Sequence, residues 1–167
     1  MLAMRKIEEF VLDASQANII FDNIPQFYRD LVLIVSGFST RVALDDTALL
    51  QLNDDTGSNY DWLWAYQNTT AVGSSESIGA TSIQWGDMPG TTALGYPAPW
   101  EVTFADYANA DREKQIGVHG TAVRTTGSNN IYAFECSGAW RDTSAITKID
   151  LSLTNGDWDT GTIATLY

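Results

Sequence analysis

The amino-acid sequence predicts an all-β protein, folded as a sandwich or barrel of antiparallel strands. Short β-type segments recur along the chain and are separated by clusters of Gly, Asn, Asp and Ser, which is the pattern of strands and turns. Hardly any stretch is long and periodic enough for an amphipathic helix, so the helical crossovers that join parallel strands are missing. In chain order, the segments with strand character are residues 10–12, 31–36, 49–52, 62–66, 100–104, 117–123, 131–136, 146–153 and 162–167.

Large aromatic side chains occupy every second position of the segment around residue 63. Because successive side chains of a strand point to opposite faces, these residues line one face as a continuous stripe. The side chains on the other face are smaller or polar, so we expect the stripe to fill the core or to form a subunit interface. A platform on which a sugar stacks is the alternative. The stripe consists of Tyr60, Trp62, Trp64 and Tyr66, and the opposite face of Asp61, Leu63 and Ala65.

The segment 69–99 differs from the rest of the chain because Gly, Ser, Thr and Pro are abundant in it. Its main apolar residues are Ile78, Ile83 and Trp85. We predict one long excursion with a strand inside it, and ordered loops of this length are usually functional or form interfaces. The tryptophans near loops or strand ends are also suited to seal the ends of the core; these are Trp85, Trp100, Trp140 and Trp158.

A polar turn at residues 125–130 separates two strand-like segments, as in a hairpin. In the second segment Tyr132, Phe134 and Cys136 share one face. Cys136 is the only cysteine, which excludes an intrachain disulfide and a metal cluster built from cysteines. Its position on this apolar face predicts a small core residue and not a nucleophile.

The end of the chain predicts a strand pair. The apolar residues of 146–153 alternate with one change of phase at Lys148, which predicts a β-bulge near the start of that strand. Turns are predicted at 155–157 and 159–161, each of which contains a glycine that accepts positive φ. We therefore expect the last two strands to pair with each other, with a short excursion that carries Trp158.

Length and charge limit the class of protein. The chain has 167 residues, enough for one substantial core, and we predict a single domain at 13–167, preceded by an arm and first strand at 1–12. The formal net charge is −12, so we expect no contact with nucleic acid or with membranes. No apolar run approaches the roughly 20 residues that span a bilayer. The N-terminus lacks the pattern of a secretory signal, which predicts synthesis in a cytoplasm without such a signal.

Two parts of the chain resemble a known group of proteins. The first is FDNIPQFYRDL at 21–31, followed by a strand and by LQLNDDTGSNY at 50–60. The second is the ending, with AITKIDL at 145–151 and GTIATLY at 161–167. Together they resemble virion structural proteins of tailed bacteriophages that have a jelly-roll fold, and the resemblance covers nearly the whole chain.

The resemblance implies an antiparallel, jelly-roll-like β-sandwich, here with one long loop excursion, and a location on a virion. We expect a capsid decoration or cement protein, made in the bacterial host cytoplasm, that stabilises the head by contacts with the major capsid protein or other virion proteins. A symmetric homo-oligomer is expected, with a trimer by analogy. The alternatives are a tail, baseplate or fibre module, and a carbohydrate-binding module for a host surface glycan.

The residues that could carry chemistry form no catalytic signature. His119 is the only histidine, and a packed or hydrogen-bonded strand histidine is expected in preference to a catalytic one. Glu101, Glu113 and Glu135 lie in or near strands and could supply the two carboxylates of a glycoside hydrolase, but nothing in the sequence singles out a pair. We therefore expect no enzymatic activity and no cofactor.

The turn at 53–59 concentrates oxygen-bearing side chains around a glycine, as a hard cation such as Ca²⁺ requires. Its candidate ligands are Asp54, Asp55 and Asn59. The segment lacks the spacing and the distal Glu of an EF-hand loop, and Asp, Asn and Gly are also the residues of a tight turn. We expect a plain turn, with calcium as the alternative.

Residues 1–6 are apolar and basic, in contrast to the acidic remainder of the chain. Such an arm could dock on a neighbouring subunit, and a disordered start is the alternative. The interface candidates are Met1, Leu2, Met4 and Arg5 in this arm, together with Trp62, Trp64 and Trp85.

Overall fold

The structure is a computed structural model that describes residues 4–68, 70–93, 95–123 and 131–167. In these ranges the chain is all β, with twelve strands and no helix. The strands are β1 (Glu8–Val11), β2 (Asn18–Phe21), β3 (Leu31–Gly37), β4 (Asp45–Leu52), β5 (Tyr60–Gln67), β6 (Val72–Ala80), β7 (Ile83–Pro89), β8 (Ala98–Phe104), β9 (Lys114–Val123), β10 (Ile131–Trp140), β11 (Ile149–Leu153) and β12 (Ile163–Leu166).

The strands form two antiparallel sheets that pack face to face. The small sheet has four strands in the order β2-β11-β4-β7, and the large sheet has eight in the order β1-β12-β3-β8-β9-β10-β5-β6. The predicted antiparallel β-sandwich is confirmed. The large sheet has twice as many strands as the sheet that packs on it.

The strand order is that of a jelly roll with additions. When the β9–β10 hairpin is set aside, β2-β11-β4-β7 faces β3-β8-β5-β6, and every connection except β5 to β6 crosses between the sheets. The hairpin is inserted between β8 and β5, and β12 and β1 extend the large sheet beyond β3. β1 is therefore an integral strand of the large sheet.

Alternation along the strands produces the core. In β3, Leu33 and Val35 are completely buried, while Ile34 between them is 40% exposed. In the middle of the large sheet, Trp100 of β8 lies over Gly120, its partner on β9. A Cβ at this glycine would approach the indole to 2.1 Å, so a larger residue there would displace the ring.

The nine predicted strand segments each overlap a strand of the structure, whereas β2 was not predicted. The segment 69–99, expected as a long loop with one strand, instead contains both β6 and β7. The sequence of β6, VGSSESIGA, has few residues that favour strands. Its pairing with β5 provides the stabilisation that local propensity does not.

Two predictions for the C-terminal part are wrong. The change of phase at Lys148 is not a bulge, because β11 begins only at Ile149. The backbone N–H of Lys148 instead donates to Asn53 Oδ1 at 3.0 Å. The last two strands also do not pair with each other: β11 pairs with β2 and β4, and β12 pairs with β1 and β3.

The chain between β11 and β12 crosses from one sheet to the other around Trp158. This side chain is completely buried, and its indole N–H donates to the carbonyl of Leu151 at 3.0 Å. The buried carboxylate of Asp46 anchors the crossing by accepting hydrogen bonds from Ser39 Oγ at 2.9 Å and from the N–H of Gly156 at 2.8 Å. Gly161 has the positive φ predicted for its turn, 87°, whereas Gly156 does not adopt positive φ. With the indole of Trp158 buried between them, the two strands lie in different sheets.

Candidate interaction surfaces

The aromatic stripe of β5 faces the inside of the sandwich. Tyr60 is completely buried and Trp62 is 8% exposed, while Trp64 and Tyr66 further along the strand are half-buried. The rings of Trp64 and Tyr66 pack on Phe134 of β10, with centroids 6.3 and 6.0 Å away. The stripe is therefore part of the core, and its rings do not form the open platform that stacking on a sugar requires.

Trp62 and Trp85 correct the expected list of interface residues. Trp85 is 1% exposed, meets the ring of Trp100 edge to face at 5.7 Å and stacks on Trp158 at 6.5 Å. A side chain buried so completely in its own chain has no surface left for a partner. Of the three tryptophans predicted to contact a partner, Trp64 alone keeps partial exposure.

The calcium candidates lie in a turn whose carboxylate oxygens receive protein donors. Asp55 accepts hydrogen bonds from Trp140 Nε1 at 2.7 Å, from the N–H of Gly57 at 2.8 Å and from Asn59 Nδ2 at 2.9 Å. These bonds, of which the one from Trp140 has the largest effect, hold the pKa of Asp55 below its ordinary value of 3.8. Because nitrogen donors converge on the carboxylate of Asp55, its contacts are those of a turn held in place by hydrogen bonds.

The same turn holds the segment that precedes β11. Asp54 forms an ion pair with Lys148 at 2.6 Å. Asn53 Nδ2 donates to the carbonyl of Ala145 at 2.8 Å, and its Oδ1 accepts the N–H of Thr147 at 2.8 Å. Asn53 and Asp54 have φ values of 52° and 58°, in the left-handed region that Asn and Asp tolerate best among non-glycine residues.

The loop between β2 and β3 is fixed at its base and exposes an aromatic ring. Gln26 Nε2 donates to the carbonyl of Ile146 at 2.9 Å, and the hydroxyl of Tyr107 donates to the carbonyl of Pro25. Phe27 follows directly, with its side chain 73% exposed. The loop therefore presents a large apolar group on a restrained backbone.

The outer face of the large sheet brings together three titratable side chains that are distant in sequence. Glu101 of β8 and Glu135 of β10 both pair in register with His119 of β9. His119 Nδ1 lies 4.0 Å from Glu135 Oε1, and the two side chains are 63% and 84% exposed. Because neighbouring strands are about 4.8 Å apart, the backbones of the two glutamates are separated by roughly 10 Å.

This row of side chains lines a shallow depression of about 720 Å³. Small or apolar outer-face residues surround the row, among them Ile34, Ala65, Pro99 and Ala133. Carboxylate and imidazole groups accept or donate hydrogen bonds to hydroxyl groups, so the depression is a candidate site for a polar, hydroxyl-rich ligand. Glu113 precedes β9 and does not line the depression. Sequence reasoning could not assemble this site because it depends on strand register.

Cys136 lies in the core, as predicted. Its side chain is buried, and Sγ is 3.4 Å from the carbonyl of Gln84. Burial raises the pKa of the thiol to about 12. Because the thiolate is the nucleophilic form, this environment disfavours reaction at the sulfur.

Only the end of the N-terminal arm is described. Met4 is 56% exposed and Arg5 is also exposed, while Lys6 forms an ion pair with Glu9 of β1 at 3.0 Å. Met1 and Leu2, two of the predicted interface residues, lie outside the described residues. Because β1 is a border strand, the arm leaves the molecule at an edge of the large sheet.

Within the described ranges, no group of three or more His, Cys, Asp or Glu side chains could hold a metal ion. The same ranges contain no helix of the length and apolar character needed to cross a membrane. No protein-family model, curated protein or solved structure matches this chain.

Proposed function

We propose that this chain is a structural protein of a tailed-phage virion, a capsid decoration or cement protein that binds the head as a symmetric oligomer and catalyses no reaction. The observation that carries the proposal is that the segments resembling phage virion proteins lie together in the fold. These segments are 21–31, 50–60, 145–151 and 161–167.

Three of these segments meet in and around the small sheet. Phe21 of β2 and Leu52 of β4 both pair in register with Ile149 of β11. Outside the strands, Asn53 adds hydrogen bonds to the backbone of 145–148. The fourth segment forms β12, which pairs with β3 directly after the first segment ends. The motifs are scattered in sequence but contiguous in space. This arrangement favours a resemblance of the whole folded domain, and not several chance matches of short segments.

Within this unit, Phe27 is the residue best placed to contact another virion protein. Its ring is exposed and rests against Tyr28 with centroids 4.4 Å apart. The bonds of Gln26 and Tyr107 restrain the loop, so little conformational entropy remains to be lost on binding. Exposed aromatic residues on a preorganised backbone are typical of interface hot spots.

The charge of the chain supports the outside of the capsid as its location. A protein with a net charge of −12 is repelled by the phosphates of packaged DNA. Docking on the outer surface avoids this repulsion.

Copy number in purified virions tests the proposal. Quantitative mass spectrometry against the major capsid protein should give hundreds of copies per particle for a decoration protein. A handful of copies would overturn the capsid location in favour of the tail, baseplate or fibre alternative. If purified virions lack the chain altogether, the virion proposal is wrong.

A second experiment tests the docking residue with Phe27→Ala. The matched control is Tyr96→Ala, which removes another exposed ring, 58% exposed, from a different loop. With particles that lack the native protein, Phe27→Ala should weaken binding about 30-fold, as expected for a hot spot, while Tyr96→Ala should bind like the native chain. Circular dichroism must show both variants folded. Native binding by Phe27→Ala would exclude this loop from the interface.

A carbohydrate-binding role is the second candidate, favoured by the depression on the outer face. If it holds, Glu101→Ala and Glu135→Ala should abolish binding on a glycan array, because they remove hydrogen-bonding groups from the depression. Glu113→Ala, outside the depression, should leave binding unchanged. If the native chain binds no glycan on the array, or if all three variants bind equally, this candidate fails.

A further inference from the structure

We propose that β6 is a self-association edge, which pairs in antiparallel fashion with β6 of a second copy of this chain across a two-fold axis at Ser75. The pairing would join two large sheets into one continuous sheet. The inference concerns contact between copies of the chain and does not depend on where the protein acts.

β6 is a border strand with few of the features that block association. Among the described residues it pairs with β5 alone, so the other side of the strand presents N–H and C=O groups that have no strand partner there. Proteins usually protect such edges with short strands, lysine, proline or bulges. β6 has nine residues, contains neither lysine nor proline, and keeps a regular register with β5 from Val72 to Ser77. The irregularity between Tyr60 and Trp62 falls opposite Ile78 and Gly79, so the regular part of the edge ends next to Ile78.

The other three sheet borders are shorter or interrupted. β1 and β2 have four residues each, and β1 carries Glu8 and Glu9. β7 has an irregular register with β4 and ends at Pro89. Among the described strands, β6 is therefore the edge best suited to pair with another chain.

Apolar side chains are exposed at both ends of this edge. Val72 is 77% exposed and Ile78 is 78% exposed. Both occupy even positions, so they share the outer face of the sheet with Ser74 and Glu76. Single exposed apolar residues need no explanation, but these two lie symmetrically about Ser75 on a border strand.

An antiparallel pairing centred on Ser75 makes the strand complementary to itself. Val72 of one copy then lies opposite Ile78 of the other, and Ser74 lies opposite Glu76. Each of these pairs occurs twice by symmetry. Apolar side chains meet apolar side chains and a hydroxyl meets a carboxylate, which are favourable cross-strand pairs.

The two neighbouring registers that also place outer-face side chains opposite each other lose this match. A pairing centred on Glu76 places the two Glu76 carboxylates directly opposite each other, which is destabilising. A pairing centred on Ser74 places Val72 opposite Glu76. The sequence of β6 therefore selects one register.

Charge sets the conditions for this contact. The net charge of −12 opposes association of two copies, although β6 itself contains only one charged residue, Glu76. Salt screens the remaining repulsion, so the dimer should strengthen as ionic strength rises. A two-fold contact joins copies in pairs and does not by itself build the trimer expected from the resemblance.

Sedimentation of the full chain over a range of concentrations tests the proposal. The native chain should show a monomer–dimer equilibrium, and Val72→Lys or Ile78→Lys should weaken it by about 10-fold or more, as lysine does on natural edges. The matched control is Val11→Lys, which changes a side chain 63% exposed on the opposite border strand β1 and should leave the equilibrium unchanged. A native chain that stays monomeric at all concentrations and salt levels, or a dimer broken only by Val11→Lys, would overturn the proposal.

The register is tested by compensation. The double variant Val72→Lys with Ile78→Glu places opposite charges across the interface in the proposed pairing. It should recover the association that Val72→Lys loses. If the double variant associates no better than the single one, the proposed register is wrong.

Disulfide trapping tests the two-fold axis directly. In Ser75→Cys the two new thiols face each other on backbones about 4.5 to 5.5 Å apart, within the range of a disulfide. In the control Ser77→Cys the backbones are about 14 Å apart. Oxidation should give a covalent dimer for Ser75→Cys only; the native Cys136 is buried. Equal trapping of both variants, or trapping of Ser77→Cys alone, would overturn the axis.

Discussion

The two faces of the eight-stranded sheet use the same strands in opposite ways. On the inner face, the ring of Trp100 lies 5.4 Å from that of Phe134, which lies 6.0 Å from that of Tyr66. Trp100 also meets Trp85 of the small sheet at 5.7 Å. On the outer face of the same strands lie small, polar or charged side chains in contact with solvent, including Pro99, Glu101, His119, Ala133 and Glu135. Stability is concentrated on one face, which leaves the other free to carry a binding site.

The largest effect is expected from Trp100→Ala. The variant removes a completely packed ring from the middle of the core and should lower the free energy of unfolding by about 3–5 kcal/mol. Urea denaturation followed by circular dichroism measures it. Its neighbour Glu101, on the same strand but the outer face, supplies the control, since Glu101→Ala should change the free energy by at most about 0.5 kcal/mol. Similar losses for both variants would contradict the division between the faces.

A smaller difference is expected between two glycines of β9 that face opposite sides. At Gly120, on the inner face, a Cβ would come within 2.1 Å of the Trp100 ring, and Gly120→Ala should cost about 1–3 kcal/mol. At Gly117, on the outer face, the nearest atom is Thr103 Oγ1 at 2.9 Å, a group that can rotate away. Thermal unfolding should therefore show a clearly lower Tm for the first variant than for the second. A larger loss of Tm for Gly117→Ala would mean that the Trp100 ring adjusts more easily than the Thr103 hydroxyl.

The turn at 53–59 adds a pH-dependent contribution to stability through Asp55. The pKa of Asp55 is lowered by its bond from Trp140, so on acidification the unfolded chain takes up this proton first. The stabilisation is complete above the ordinary aspartate pKa of 3.8 and is lost as the pH falls through the lowered value. Asp55→Asn should therefore reduce stability at neutral pH and flatten its decline below about pH 4. Unfolding curves recorded at stepwise lower pH measure the free energy of unfolding of the native chain and of Asp55→Asn. If the two free energies decline in parallel, Asp55 is not a source of the pH dependence.

The smallest effect is expected on the outer face. Glu135→Gln and His119→Ala should each change the free energy of unfolding by no more than about 0.5 kcal/mol, because solvent screens exposed charges. Chemical denaturation at low and high salt provides the measurement. A loss above about 1 kcal/mol would show that the sheet itself needs this row, which would weaken its interpretation as a binding site.

Local patterns predicted most of the framework. Alternation correctly assigned the aromatic stripe of β5 to one face and Cys136 to the core. The turn at 53–59 was also correctly placed, because Asn and Asp accept the left-handed backbone that it contains. β6 was not identified as a separate strand, since its Gly and Ser residues have low strand propensity and its stability comes from pairing with β5.

The sequence by itself determined most of the strand segments, the apolar face of these strands and the position of most turns, because these depend on neighbours within a few residues. Only the tertiary structure decided that β11 and β12 enter different sheets, that Trp85 is buried, and that Glu101, His119 and Glu135 form one row. These features depend on which distant strands pair and in what register, and such pairings are decided by packing of the whole core.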